Sequence, residues 1–195
     1  MREWNIIGKP ALLILHMQQG ILAQGTDRLK CVEESGIISK QQDLLKAFRG
    51  KKLPVIFVNV RRRPMVTDNL PIHGCIWEEA ASLQDDQSDI LVIPELSPLP
   101  SEPVLIDLPV TAFNNSGLEN ILRLYRAETL VLAGYSTNGV VYGTAVGATD
   151  RFFNVILPND ASTTLLGEVH RIVMDLMAPN IAMVTSTTEM IQHLK

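Results

Sequence analysis

The segment from Leu130 to Asp150, LVLAGYSTNGVVYGTAVGATD, predicts how the rest of the chain is organised. Its apolar start, Leu130 to Tyr135, indicates a buried strand, and a helix is expected to begin near Asn138. Backbone N–H groups at the start of such a helix point beyond the strand end, where they favour an anion or an oxyanion. The first helical turn contains no serine or cysteine, because Val140 and Val141 stand there.

Apolar strands alternate with helical patterns on both sides of this segment. The other predicted strands are 11–17, 55–60, 104–108, 155–158 and 182–185, and the predicted helices are 32–50, 118–125, 138–152, 165–177 and a short terminal helix. Residues 61–89 are expected to form a loop with one short helix. This alternation predicts one domain, 1–195, of the α/β class. It would be a doubly wound, mostly parallel six-stranded sheet with helices on both faces, a Rossmann-like three-layer sandwich.

Short sequence patterns predict where two helices begin and where one extended connector lies. Ser116 with Glu119 and Ser186 with Glu189 have the spacing of a capping box, in which the two side chains bond each other's backbone N–H groups. Four prolines between 94 and 103 predict an extended connector into the third strand.

Composition and charge argue against several classes of function. The net charge is −4, and Arg61 to Arg63 is the only basic run, which gives little support for nucleic-acid binding. No apolar run reaches the roughly 20 residues that span a membrane. The N-terminus has no small-residue cleavage site, so we expect a cytoplasmic protein.

Metal ligands and disulfides are not expected. Cys31 and Cys75 are interpreted as incidental small hydrophobic residues that stay reduced. The four histidines, His16, His73, His170 and His193, lack ligand spacing. We therefore predict neither a metal nor another cofactor.

Polar side chains are predicted at the carboxyl ends of four strands, where doubly wound sheets bind ligands. In chain order they are His16, Asn59, Arg61, Asp107, Tyr135, Ser136, Thr137 and Asn138. Each also has a structural interpretation. His16 could be a hydrogen-bonded core histidine, Asp107 could pair with an arginine, and residues 136–138 suit helix capping. Arg61 suits a solvated surface or a contact with a substrate carboxylate.

Three stretches carry a family resemblance. They are ALLILHMQQG at 11–20, PELSPLPSEPVLIDLPVTAF at 94–113 and AGYSTNGVVYGTA at 133–145. Together they resemble, in the right order, the isochorismatase-like cysteine hydrolases, which include nicotinamidases, N-carbamoylsarcosine amidases and isochorismatases. The resemblance covers nearly the whole chain and implies the isochorismatase-like α/β fold. It also implies a homo-oligomer.

The resemblance implies a triad whose three positions are all substituted here. The family uses an aspartate as general base, a lysine that stabilises charge and a cysteine nucleophile. His16 stands at the aspartate position, Asp107 at the lysine position and Val140 at the cysteine position. Valine has no lone pair, so the resemblance does not extend to covalent thioester chemistry.

The main-chain part of the family site is expected to survive. The resemblance places a non-proline cis peptide at Tyr135 and Ser136 and an oxyanion hole at the backbone N–H groups of Ser136 and Val140. Other expected pocket residues are Gln18, Asn59, Arg61, Phe113 and Asn138.

Three functional interpretations follow. The first is a degenerate family member, a pseudoenzyme without cysteine-dependent amidase activity. The second is an altered hydrolase in which Asp107 orients His16 to activate water against a small amide, ester or vinyl-ether substrate. The third is a module for small-ligand binding or for assembly.

Overall fold

The computed structural model describes residues 4–23, 26–61, 88–107, 110–114 and 116–194, excluding the side chains of Thr26 and Asp107. Most of the predicted 61–89 loop, including His73 and Cys75, therefore lies outside the described residues.

A parallel sheet forms the centre of the molecule. Its described strands are β1 (Lys9–Leu15), β2 (Val55–Val60), β3 (Val104–Asp107), β4 (Ala127–Tyr135), β5 (Asn154–Pro158), β6 (Ser162–Thr163) and β7 (Met183–Thr185). The strand order is β3-β2-β1-β4-β5-β7, and β6 pairs with the end of β4. All the ladders between these strands are parallel. The predicted doubly wound α/β fold is confirmed, with the two-residue β6 in addition to the six predicted strands.

Helices follow most of the strands. The described α-helices are α1 (Gln19–Ala23), α2 (Thr26–Ser35), α3 (Ile37–Gly50), α4 (Leu118–Tyr125), α5 (Tyr142–Thr149), α6 (Gly167–Ile172) and α7 (Thr187–His193). Among the described residues, π-helical turns at Thr137–Val141 and Val173–Met177 precede α5 and follow α6, respectively. The described 3₁₀ turns lie at Pro94–Leu96, Asn159–Ala161 and Ala178–Asn180.

The central strands are continuous apolar runs because both faces of the sheet are covered. Residues 11–15 of β1 are all fully buried. One apolar layer contains Leu44 and Phe48 of α3, and the opposite layer contains Leu122 of α4 and Ala145 of α5. Because burial on two faces favours apolar side chains at every position, these strands show no alternation in the sequence.

The first predicted helix is wrong in extent. Gly36 takes the left-handed conformation with φ 70°, so the pattern from residue 32 to 50 is divided between α2 and α3. Glycine adopts this conformation without a steric penalty, and the chain changes direction there.

The predicted capping box at Ser116 is also wrong. Gly117, with φ 76°, directly precedes α4, and the Ser116 hydroxyl accepts a hydrogen bond from the N–H of Leu118 at 3.1 Å. Glu119 instead pairs with Arg123 and Arg151. At the terminal helix, by contrast, half of the predicted box is present. The Ser186 hydroxyl accepts from the N–H of Glu189 at 3.2 Å, whereas the Glu189 carboxylate accepts from Trp4 and Thr185.

The helices predicted at 138–152 and 165–177 each combine two helical forms. The first is a π-helical turn followed by the shorter α5, and the second is α6 followed by a π-helical turn. Apolar periodicity does not distinguish these forms, because each π-helical turn has only five residues, too few to show a period different from 3.6.

Candidate functional site

The strand order reverses between β1 and β4. The chain continues from β1 to β2 through α3 on one face of the sheet, and from β4 to β5 through α5 on the other face. Leu15 pairs with Gly134 at the carboxyl ends of these two strands. Doubly wound sheets bind ligands at this kind of switch point, so the candidate site lies just beyond Leu15 and Gly134.

The turn after β4 has an unusual main chain. The peptide bond between Tyr135 and Ser136 is cis, at the position that the family resemblance implies. The Ser136 carbonyl accepts hydrogen bonds from the N–H groups of Gly139 at 3.2 Å and Val141 at 3.3 Å. A Cβ atom at Gly139 would lie 2.8 Å from the Ser136 hydroxyl, so glycine leaves the space that this hydroxyl occupies.

Val140, which the family resemblance assigns to the nucleophile position, is packed as a core residue. It is only 3% exposed and belongs to the apolar layer that also contains Leu15 and Leu132. A hydrocarbon side chain in this place offers no nucleophilic atom to the site.

His16 lies directly after β1 at the switch point. β1 ends at Leu15, two residues before the predicted strand end at Met17, and His16 adopts a left-handed φ of 53°. Its N–H donates to the Val58 carbonyl at 2.8 Å, and the residue is 7% exposed. The sheet therefore brings His16 beside the β4 turn.

Asp107 is farther from this point. It pairs with Val60 at the end of β3, and the whole of β2 lies between β3 and β1. Neighbouring strands are about 4.8 Å apart, so the backbones of β1 and β3 are separated by about 10 Å. A contact between the His16 and Asp107 side chains would have to cross the end of β2.

The Gln18 side chain forms hydrogen bonds to main-chain groups of two neighbouring segments. Its side-chain amide donates to the carbonyls of Val60 at 2.8 Å and Asp89 at 2.9 Å, and its oxygen accepts from the Val60 N–H at 2.7 Å. These bonds fix the end of β2 against the segment at 88–92.

The other strand-end residues differ in burial. Asn59 is buried and donates from Nδ2 to the Ile90 carbonyl at 2.7 Å, while its Oδ1 has no hydrogen-bond partner within the described part of the chain. Arg61, immediately after β2, is exposed.

Phe113 and Asn138 line an open groove of about 620 Å³ beside α5. The Phe113 ring stacks on Phe153 with centroids 6.2 Å apart, and the Arg151 guanidinium lies 4.7 Å above it. Asn138 is exposed, and its Oδ1 accepts from the Thr164 hydroxyl at 2.7 Å.

Sequence reasoning missed a polar link from the site to α6. Thr137 Oγ1 and His170 Nδ1 are 2.8 Å apart, and Thr137 is fully buried. Burial lowers the pKa of the His170 imidazole, although the Asn159 main chain and the Asp175 carboxylate act in the opposite direction. The two residues are 33 positions apart, so no local pattern indicated the contact.

Cys31 is a free cysteine, in line with the prediction that it stays reduced. It is half-buried on α2, and its Sγ donates to the Thr164 carbonyl at 3.2 Å. Where the structure describes the side chains, they form no group of three or more metal-ligating residues. None of the described helices is long and apolar enough to cross a bilayer.

Comparison with known proteins identifies the family. Residues 10–189 match the family model described as isochorismatase domain. The chain is 28% identical over 197 residues to the uncharacterized isochorismatase family protein YecD of Escherichia coli O157:H7, covering 94% of this chain and 95% of that protein. It is 27% identical over 153 residues to the maleamate amidohydrolase of Pseudomonas putida, covering 76% and 70%.

A solved structure supports the same fold. The cysteine hydrolase of Pseudomonas syringae pv. phaseolicola superposes with a TM-score of 0.84 at 22% identity, covering 99% of this chain and 98% of that one. With the switch point and the β4 turn in place and nearly all of the chain matched, this protein belongs to the isochorismatase family.

Proposed function

We propose that this chain keeps the scaffold of an isochorismatase-family hydrolase without cysteine-dependent amidase activity. The observation that carries the proposal is Val140, a buried apolar residue at the first turn after β4. Thioester chemistry needs a thiolate at that position, and neither a lone pair nor an ionisable group is available there. The family's aspartate and lysine positions hold His16 and Asp107, so the charge pattern of the site is changed as well.

A second candidate is an altered hydrolase that uses His16 as a general base on water. The position of His16 at the switch point, beside the β4 turn, favours it. Histidine is the side chain that general-base catalysis uses most often near neutral pH. Asp107 would orient the imidazole only if the two side chains meet across the end of β2.

A hydrolysis screen distinguishes the two candidates. The panel would contain small amides, esters and vinyl ethers, with maleamate first because one relative is a maleamate amidohydrolase. Wild-type protein and His16→Ala would be compared at equal concentration by substrate loss. We expect no turnover in either protein. Wild-type turnover that is lost in His16→Ala would contradict the first candidate and support the second.

Restoring the family triad tests the scaffold separately. The variant His16→Asp, Asp107→Lys, Val140→Cys is expected to gain slow, iodoacetamide-sensitive amidase activity. The matched control carries Val141→Cys in place of Val140→Cys, which puts the thiol on the neighbouring buried residue. The control should gain nothing. Equal activity in both variants would mean that Val140 is not the nucleophile position.

A further inference from the structure

A small cavity lies at the opposite end of the sheet from the candidate site. Its volume is about 140 Å³, and it is enclosed by the chain around the start of β1, by Leu53 before β2 and by the end of α7. Pro10, at the start of β1, is part of its wall, whereas His16 follows the other end of that strand. Six residues of a strand span about 20 Å, so the cavity is separate from the switch point.

The walls of the cavity are mainly apolar. They are formed by Ile6, Pro10, Leu53 and Leu194. Pro10 and Leu194 are buried, whereas Asn5 at the edge of the cavity is exposed, so the cavity leads from the surface into the protein. Among the described residues that line it, none has a lysine, arginine or carboxylate side chain. Because burying an unpaired charge is costly, such walls favour an uncharged ligand.

His193 gives the wall a hydrogen-bonding group. Its Nδ1 lies 2.9 Å from the Glu189 carbonyl oxygen, which can only accept, so the Nδ1–H donates to that carbonyl. In the neutral imidazole the other ring nitrogen, Nε2, is then an acceptor. Hydrogen bonds within the described part of the chain engage Nδ1 and leave Nε2 for a ligand that carries an O–H or N–H donor.

Trp4 holds the His193 ring in place. The two rings are stacked, with centroids 4.0 Å apart and planes inclined by 16°. Trp4 Nε1 donates to Glu189 Oε1 at 3.1 Å, and Glu189 Oε2 accepts from the Thr185 hydroxyl at 2.7 Å. The imidazole is therefore fixed on one face by Trp4 and on one edge by α7 before a ligand enters, which reduces the entropy lost on binding.

We propose that this cavity binds an uncharged single-ring molecule with one hydroxyl group, such as a phenol. The volume sets the size, since an apolar cavity of about 150 Å³ in another protein holds one benzene molecule. The hydroxyl group would donate a hydrogen bond to His193 Nε2. This site does not depend on the proposed loss of cysteine chemistry, because its residues lie at the far end of β1 from the switch point.

Titration with phenol, followed by proton–nitrogen NMR spectroscopy, tests the proposal. The readout is the indole N–H signal of Trp4, which the variant Trp77→Phe identifies because the chain has two tryptophans. Phenol is expected to shift this signal saturably, with a dissociation constant of about 1 mM. Benzene fills the same space without a donor and should bind about threefold to tenfold more weakly.

Two variants separate the shape of the cavity from its hydrogen bond. Leu53→Trp fills the cavity and should abolish phenol binding. Its matched control is Leu124→Trp, at a residue that is 81% exposed on α4, and this control should bind phenol as the wild type does. His193→Phe keeps a ring and removes the acceptor, so phenol should then bind no tighter than benzene.

Circular dichroism would verify that each variant is folded, and His193→Phe carries the test if Leu53→Trp is not. Three results would each overturn the proposal. They are the absence of a saturable shift in the wild type, unchanged phenol binding by folded Leu53→Trp, and a preference for phenol over benzene that is as large in His193→Phe as in the wild type.

Discussion

Among single residues, Gly143 shows how closely the 110–113 loop approaches α5. A Cβ atom at Gly143 would lie 1.9 Å from the Val110 carbonyl oxygen, and one at Gly147 would lie 2.9 Å from the Thr111 hydroxyl. Thr144 Oγ1 also accepts from the N–H of Ala112 at 2.9 Å. The glycines let the loop lie against the helix that begins beside the site.

We predict that Gly143→Ala destabilises the protein by about 1–3 kcal/mol, the usual cost of forcing extra atoms into a packed contact. The control is Gly50→Ala, since Gly50 is helical and no other part of the chain lies within 4 Å of the position that a Cβ atom would take. That control should be neutral or stabilising by up to about 1 kcal/mol. Urea unfolding measures the free energy of unfolding of both variants. Equal stability of Gly143→Ala and wild type would show that the 110–113 loop can move away from α5 without a measurable cost.

Among the elements, the Thr137–His170 hydrogen bond joins the π-helical turn of the site to α6. A neutral imidazole has one donor and one acceptor nitrogen, so the ring can donate to one neighbour while accepting from the Thr137 hydroxyl. Burial favours this neutral form and lowers the pKa of His170. Protonation of His170 in acid is therefore expected to weaken the Thr137–His170 hydrogen bond.

Stability should fall as the pH drops below the ordinary histidine pKa of 6.5. The folded pKa is the lower one, so the unfolded state binds more protons between the two values, and the contribution of His170 is complete only above the unfolded pKa. Below the folded pKa both states are protonated and the loss stops. Melting temperatures of wild type and His170→Asn would check this across a range of roughly three pH units centred on the histidine pKa. The wild type should lose more; parallel curves would exclude His170 as the cause.

At the scale of the whole molecule, the half-buried Arg49–Glu102 ion pair connects α3 to the segment before β3, at the edge of the sheet. Arg49 donates from Nε and Nη2 to the two carboxylate oxygens of Glu102 at 2.8 and 2.7 Å, and from Nη2 to the Ser97 carbonyl at 3.0 Å. Glu102 Oε2 also accepts from the N–H of Leu99 at 2.8 Å. These bonds hold the connector that leads into β3, an edge strand next to β2.

We expect Arg49→Lys to cost about 1–3 kcal/mol in chemical denaturation, because lysine cannot reproduce the two parallel bonds. The matched control is Arg123→Lys, which pairs with Glu119 one turn earlier on the exposed side of α4. Exposed pairs of that kind contribute about 0.5 kcal/mol or less. Similar losses in both variants would mean that the Arg49 pair is no stronger than a surface pair.

The amino-acid sequence was sufficient to predict the class of fold, and it led us to expect the candidate site at the carboxyl ends of the strands. Continuous apolar strands separated by helical patterns leave few arrangements other than a doubly wound sheet. The valine at position 140 is likewise a property of the sequence, because a hydrocarbon side chain is chemically inert wherever it lies.

Which residues meet could be read only from the folded molecule. Folding placed His16 beside the β4 turn, put β2 between His16 and Asp107, and engaged Gln18 with the main chain. It also joined Thr137 to His170 and left Ile172 and Leu176 in water. Periodicity reports which face of a strand or helix is apolar, whereas strand order and long-range hydrogen bonds depend on how distant segments pack.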